Sequence, residues 1–155
     1  MQTDKIILGI DPGTTIMGFG VIRIVGSEMV LVDFGAVPFK SENGQALRLK
    51  KIFEVTTSII ERTKPDEFAI ESPFFGKNIQ SMFKLGRAQG VAIAAALIKI
   101  IPIFEYSPKK VKLSVTGNGN ASKESVAGMV CKLLKISAPG KYFDATDALA
   151  IAVCH

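Results

Sequence analysis

Ile6-Ile7-Leu8-Gly9-Ile10-Asp11-Pro12-Gly13-Thr14-Thr15 is the stretch on which the fold turns. A short apolar, β-rich run punctuated by glycine reads as a strand, and Asp-Pro-Gly-Thr directly after it supplies the chemistry of a turn. Outward from that strand, Gly18 to Val25 and Met29 to Phe39 repeat the pattern, with Val-Gly-Ser between them. Three such runs separated by turn residues predict a three-stranded antiparallel meander.

The period then changes. Between Ala46 and Thr63 the residues Leu49, Ile52, Phe53, Thr56, Ile59 and Ile60 recur at helical spacing, and Lys64-Pro65 stops them. A short strand is expected at Phe68 to Glu71, a long helix from about Asn78 to Lys99, and a strand at Ile101 to Tyr106. Alternation of strand and helix implies parallel pairing. The last part predicts a short helix at Pro108 to Val115, a glycine-rich loop Thr116-Gly-Asn-Gly-Asn-Ala, a helix from Ser122 to Leu134 and a final helix from Asp144. The expected fold class is therefore α/β: a mixed five-stranded sheet, antiparallel meander plus parallel strands, flanked by helices. The first and fourth strands are its natural central neighbours. Ligands of such sheets lie at the carboxyl ends of the strands.

With 155 residues, 48% hydrophobic and 21% charged, residues 1–155 read as one well-packed domain. A formal charge of +5 favours a polyanionic partner. Cys131 and Cys154 follow no metal-ligand spacing and form no disulfide framework. The opening Met-Gln-Thr-Asp-Lys has no signal-peptide succession, and the longest apolar stretch, Gly90 to Ile98, is too short to span a bilayer. A cytoplasmic protein without membrane attachment is expected.

Acidic residues stand where these elements end or begin. Asp11 closes the first strand, Glu71 closes Phe68-Ala69-Ile70, and Asp144 and Asp147 open the last helix at i and i+3, on one face. Converging carboxylates repel one another unless a cation neutralises them, and hard oxygen ligands suit Mg²⁺ or Mn²⁺. Two such ions are the arrangement of in-line phosphodiester hydrolysis. Taken singly, each acid has a plainer reading. Asp in the first turn of a helix is favoured by capping and the macrodipole, Asp-Pro-Gly is a good turn, and a glutamate at a strand end means little. Their joint occurrence on elements expected side by side favours the metal site.

The chain resembles a known family. Ile-Leu-Gly-Ile-Asp-Pro-Gly at 7–13, Phe-Ala-Ile-Glu at 68–71, Lys-Leu-Gly-Arg-Ala-Gln-Gly-Val-Ala at 84–92, Phe-Glu-Tyr at 104–106 and Asp-Ala-Thr-Asp-Ala-Leu-Ala-Ile-Ala at 144–152 look like the crossover junction endodeoxyribonuclease RuvC family, in order and over nearly the whole chain. The resemblance implies a ribonuclease H-like fold and a homodimer. It also implies Mg²⁺-dependent resolution of Holliday junctions, by paired symmetric nicks, in recombination and repair. It carries the catalytic and metal-binding roles to Asp11, Glu71, Asp144 and Asp147, the same acids reached from the residues, and two ions per site, with Mn²⁺ as a substitute. The implied partners are four-way junction DNA and the RuvA and RuvB branch-migration complex. Thr146 and the bulky Gly140-Lys141-Tyr142-Phe143 before Asp144 depart from the family pattern.

DNA contacts are expected from lysines. Lys109, Lys110 and Lys112 cluster after the fifth strand, and Lys123 follows the glycine-rich loop. Phosphate contacts position DNA without reading it. The resemblance favours function for Lys112 and Lys123, whereas a solvated charged face suits Lys109 and Lys110 equally. Phe74-Phe75, just after Glu71, reads as core packing or a dimer contact from the residues alone. The resemblance assigns Phe74 to the opened junction centre, stacked on an unpaired base. The segment Asn78 to Ile98 is apolar on more than one side, with Gly86 and Gly90 permitting close helix approach; the resemblance places the dimer partly there. His155, the lone histidine, is expected to stay out of the chemistry.

The rival readings are an actin-like ATPase, suggested by Gly9 to Thr15, a ribosomal RNA-processing nuclease, and a DNA-binding module without catalysis. The first requires two such domains, the second lacks the matches at 84–92 and 144–152, and the third leaves four acids facing DNA without a cation.

Overall fold

The computed structural model describes residues 4–39, 42–72, 76, 78–137 and 143–155. Its sheet has the strand order β3-β2-β1-β4-β5, formed by β1 (Lys5–Asp11), β2 (Ile16–Val25), β3 (Glu28–Pro38), β4 (Glu67–Glu71) and β5 (Ile103–Tyr106). β1 to β3 are the antiparallel meander, and β4 and β5 continue the sheet in parallel from β1. The first and fourth strands are neighbours, in the register Ile7↔Glu67 through Ile10↔Ile70.

Alternation along the strands sorts the core into two layers. Leu8 and Ile10 of β1, with Phe68 and Ile70 of β4, pack against α1 (Gln45–Thr63) and α2 (Ile79–Ile98). Ile7 and Ala69 point the other way, toward α3 (Pro108–Thr116), α4 (Lys123–Leu133) and α5 (Phe143–Cys154). Because successive side chains of a strand take opposite faces, Asp11 and Glu71 belong to the same face as Ile7 and Ala69. Each fully buried Leu, Ile or Phe stabilises the fold by about 1.5–3 kcal/mol. The apolar run of β1 is thus needed on both of its faces.

The helices start and stop where local chemistry dictates. Asn78, Ser107 and Ser122 cap α2, α3 and α4, each accepting a hydrogen bond from the backbone N–H three residues on. Lys64, left-handed at φ 49°, ends α1 ahead of Pro65, and Gly117 at φ 79° ends α3. The fifth strand begins at Ile103 rather than Ile101, because Pro102 has no N–H for the ladder and serves only as acceptor for the Phe68 N–H at 3.0 Å. Among the described residues no helix is long and apolar enough to cross a membrane.

Candidate active site

Asp11 is the last residue of β1, and the chain turns sharply after it. A Cβ on Gly13 would lie 2.3 Å from the Ile16 carbonyl oxygen, so only glycine lets this turn close. Arg48 of α1 donates to the Thr14 carbonyl at 3.3 Å, tying the turn to the helix layer. Glu71 ends β4 one residue beyond the Ile10↔Ile70 pair, so the two carboxylates finish adjacent strands on one face.

Helix α5 brings the other acids to that face by lying unusually close to the sheet. Added Cβ atoms would fall 1.9 Å from the Asp144 carbonyl oxygen at Gly18, and 2.2 Å from that of Ala148 at Gly9. These glycines of β1 and β2 leave room for helix backbone where any side chain would hold it off. The Thr146 hydroxyl, which is buried, donates to the Phe143 carbonyl at 2.9 Å and tightens the first turn, where Asp144 sits.

A cleft of about 520 Å³ opens between these elements, and Asp11, Glu71 and Asp147 line it together with Lys109, Lys112 and Lys123. Burial, then the charges of Asp147, Glu71 and Asp144, push the Asp11 carboxyl well above the usual carboxylate range. Burial and the charge of Asp147 push Glu71 up to about 7, against the pull of Lys112 and Lys123. Asp147 is raised chiefly by burial, with Lys123 opposing it from 3.7 Å. Asp144 does not line the cleft, but its charge still raises Asp11 and Asp147.

The acids favour a divalent cation by their chemistry. All of the cleft's anionic donors are hard carboxylate oxygens, and the burial and mutual repulsion that hold their protons on are what a small doubly charged ion would offset. Among the described residues no three acidic, histidine or cysteine side chains already enclose a metal position. The carboxylates share a cleft and a field rather than a closed cage.

The other expected residues divide. Lys109 reaches the cleft with its stem across Gly119, whereas Lys110 turns away, its ammonium 5.5 Å from the centre of the Tyr106 ring. On a helix, positions 109 and 112 share a face and 110 lies a third of a turn off it. Phe74 and residues 140–142 lie outside the described residues. His155 stays away from the cleft and instead bonds Glu67 and Tyr106, with its ring 4.4 Å from that of Phe104. Gln89 was not expected at the site, yet its side-chain amide donates to the Glu71 carbonyl at 3.0 Å. Its signals were its place in the motif at 84–92 and its polarity in an alanine-rich helix.

Comparisons with known proteins agree on one family. Residues 7–155 match the family model described as crossover junction endodeoxyribonuclease RuvC. A crossover junction endodeoxyribonuclease RuvC from Cytophaga hutchinsonii is 59% identical over 152 residues, covering 98% of this chain and 76% of the relative. One from Bacteroides fragilis is 54% identical over 154 residues, covering 98% and 82%. Thermus thermophilus RuvC in complex with Holliday junction substrate superposes with a TM-score of 0.90 at 32% identity, covering 97% of this chain and 92% of that one.

Proposed function

The chain belongs to the RuvC family and is a crossover junction endodeoxyribonuclease of ribonuclease H-like fold, and from that premise we propose that Asp11, Glu71, Asp144 and Asp147 form its catalytic centre. One observation carries this reading: acids from β1, β4 and α5 meet at a single cleft whose other wall is lysine. The substrate proposed for this chain is a four-way DNA junction, nicked symmetrically in recombination and repair.

Asp11, Glu71 and Asp147 would hold Mg²⁺, or Mn²⁺ in its place, with Asp144 completing the set for two ions. When bound, such ions supply an activated water and neutralise charge on the departing oxygen. The remaining work belongs to the chain's own groups. Lys112 and Lys123 draw the phosphate into the cleft and, by lowering the proton affinity of Glu71, help to keep it ionised for its ligand role. Lys109 extends the same basic wall outward, a phosphate contact that positions DNA without reading its sequence. Lys110, turned toward Tyr106, takes part only as charge near the rim. The role of Phe74 at the opened junction centre rests on its place in the sequence, three residues after Glu71.

A homodimer is supported by α2. Ile79 and Phe83 are 65% and 69% exposed, Leu97 and Ile98 are 56% and 65%, and beside Gly86 and Gly90 a Cβ would meet nothing. A helix that buries its alanines inward and presents large apolar residues outward suits a second copy. Coupling to the RuvA and RuvB branch-migration complex follows from the family reading. Cytoplasmic location fits an enzyme acting on chromosomal DNA.

The test pairs a synthetic mobile four-way junction with linear duplex of the same sequence, with and without Mg²⁺, alongside Asp11→Asn. Symmetric nicking of the junction alone, lost without metal and in the variant, is the expected result. Metal-independent cleavage, or full activity of Asp11→Asn, would overturn the assignment.

A further inference from the structure

Gln89 is 4% exposed, among the few polar side chains that the described core encloses. It sits between Ala88 and Ala92 on the buried face of α2. Its Oε1 finds no partner among the described residues. A buried amide with one end unsatisfied is a poor device for stability alone.

The other end of that amide explains its presence. On the β1 side the register of β4 stops at Ile10↔Ile70, and on the β5 side it ends at Glu71↔Tyr106, with the Ser72 N–H given to the Tyr106 carbonyl at 2.8 Å. The Glu71 carbonyl is taken by Gln89 Nε2 at 3.0 Å. Because a carbonyl oxygen only accepts, the amide orientation is fixed, with nitrogen toward Glu71. The last peptide of β4 is thus held by a side chain from the opposite helix layer at the point where the strand ladder gives out.

We propose that Gln89 is a positioning residue for the nuclease centre, clamping the end of β4 so that the Glu71 carboxylate is presented to the cleft in a fixed direction. The inference rests on Glu71 being part of that centre. Groups that orient a metal-binding carboxylate contribute to metal affinity and rate without touching substrate.

The experiment compares the parent with Gln89→Met, which keeps length but has no donor, and Gln89→Leu, which is shorter and likewise has no donor. Melting temperature, junction affinity in Ca²⁺, Mn²⁺ affinity of the free protein by calorimetry, and single-turnover cleavage of a four-way junction are measured. The expected result for Gln89→Met is an undiminished melting temperature, unchanged junction affinity, and Mn²⁺ affinity and cleavage rate each lower by roughly 10–100-fold. Parental rate and Mn²⁺ affinity in Gln89→Met would overturn the proposal, as would a loss of rate matched by equal losses in melting temperature and junction affinity. Should Gln89→Met fail to fold, Gln89→Leu decides by the same criteria. Glu71→Gln serves as the separate control: cleavage retained there would remove Glu71 from the centre and leave the clamp without a purpose.

Discussion

The Lys123 ammonium stands 3.7 Å from the Asp147 carboxylate, at the first residue of α4 and within the opening turns of α5. The same lysine lowers the proton affinity of Asp11 and Glu71. One cation therefore acts on acids contributed by three different elements.

Lys123→Met should leave stability nearly unchanged, since the lysine side chain is 69% exposed and such pairs are worth about 0–1 kcal/mol. Its effect should fall on proton affinity instead. Removing a charge that pulls the acids down lets each rise further, so the acid limb of the cleavage pH profile moves to higher pH and more Mg²⁺ is needed for half-maximal rate. A pH profile that keeps its acid limb in place would refute this account of Lys123.

Glu71 has a folded pKa of about 7 against an ordinary 4.5, and Asp11 and Asp147 are displaced in the same direction. A raised carboxylate binds its proton more tightly when folded than when unfolded. The folded state therefore holds more protons across this window, and stability falls as pH rises from the ordinary carboxylate value toward the folded one. Metal-free protein is expected to melt at a higher temperature near pH 5 than near pH 8, roughly the window those shifts define. Added Mg²⁺ should recover the difference at the alkaline end. Scanning calorimetry over pH, with Mg²⁺ or a chelator, reads both effects.

Asp11→Asn is expected to raise the melting temperature of metal-free protein at neutral pH while abolishing cleavage. The substitution removes a buried acid that its neighbours repel and keeps its shape. Stability and activity moving together in this variant would contradict a functional origin for the strain.

At Gly18, an added methyl would lie 1.9 Å from the Asp144 carbonyl oxygen, a contact of backbone with backbone that no rotamer change relieves. Gly18→Ala should therefore cost about 1–3 kcal/mol and lose cleavage by lifting α5. At Gly20 the added methyl would meet the Leu149 side chain at 2.6 Å and its Cα at 2.9 Å, a less severe approach to the helix backbone than at Gly18, so Gly20→Ala should be milder. Equal effects at the two positions in thermal melts and junction assays would rule out the closer backbone approach at Gly18 as the cause.

Phe83→Asp is expected to give a folded monomer. The ring is 69% exposed on the apolar face of α2, so the substitution leaves the core alone and places a charge where a second copy would pack. Analytical ultracentrifugation should show the mass halved at unchanged melting temperature, and cleavage products should lose their pairing. A variant that still sediments as a dimer would move the interface elsewhere.

The neighbourhood of Asp11 and Glu71 was legible because both end apolar runs whose alternation with helices implies parallel pairing, and the ladder confirms that β1 and β4 are adjacent. The divergence of Lys109 and Lys110 was not, since it depends on how far α3 is rotated against β5. Helical period says only that the two lysines face differently, not which faces the acids. Gln89 was hidden for a related reason: its partner is a main-chain carbonyl, which leaves no mark in the sequence of β4. The contacts of His155 with Glu67 and Phe104 join the chain's end to strands far earlier in it, and no local pattern announces them.

The alternation along β1 and β4 puts Leu8, Ile10, Phe68 and Ile70 on one side and Asp11 and Glu71 on the other. A slip of one residue reverses every assignment at once. The misaligned strand would press its carboxylate into hydrocarbon and turn its isoleucines toward the lysines. No intermediate alignment retains half of the site. A chain misaligned by one residue would therefore form no carboxylate cleft at all.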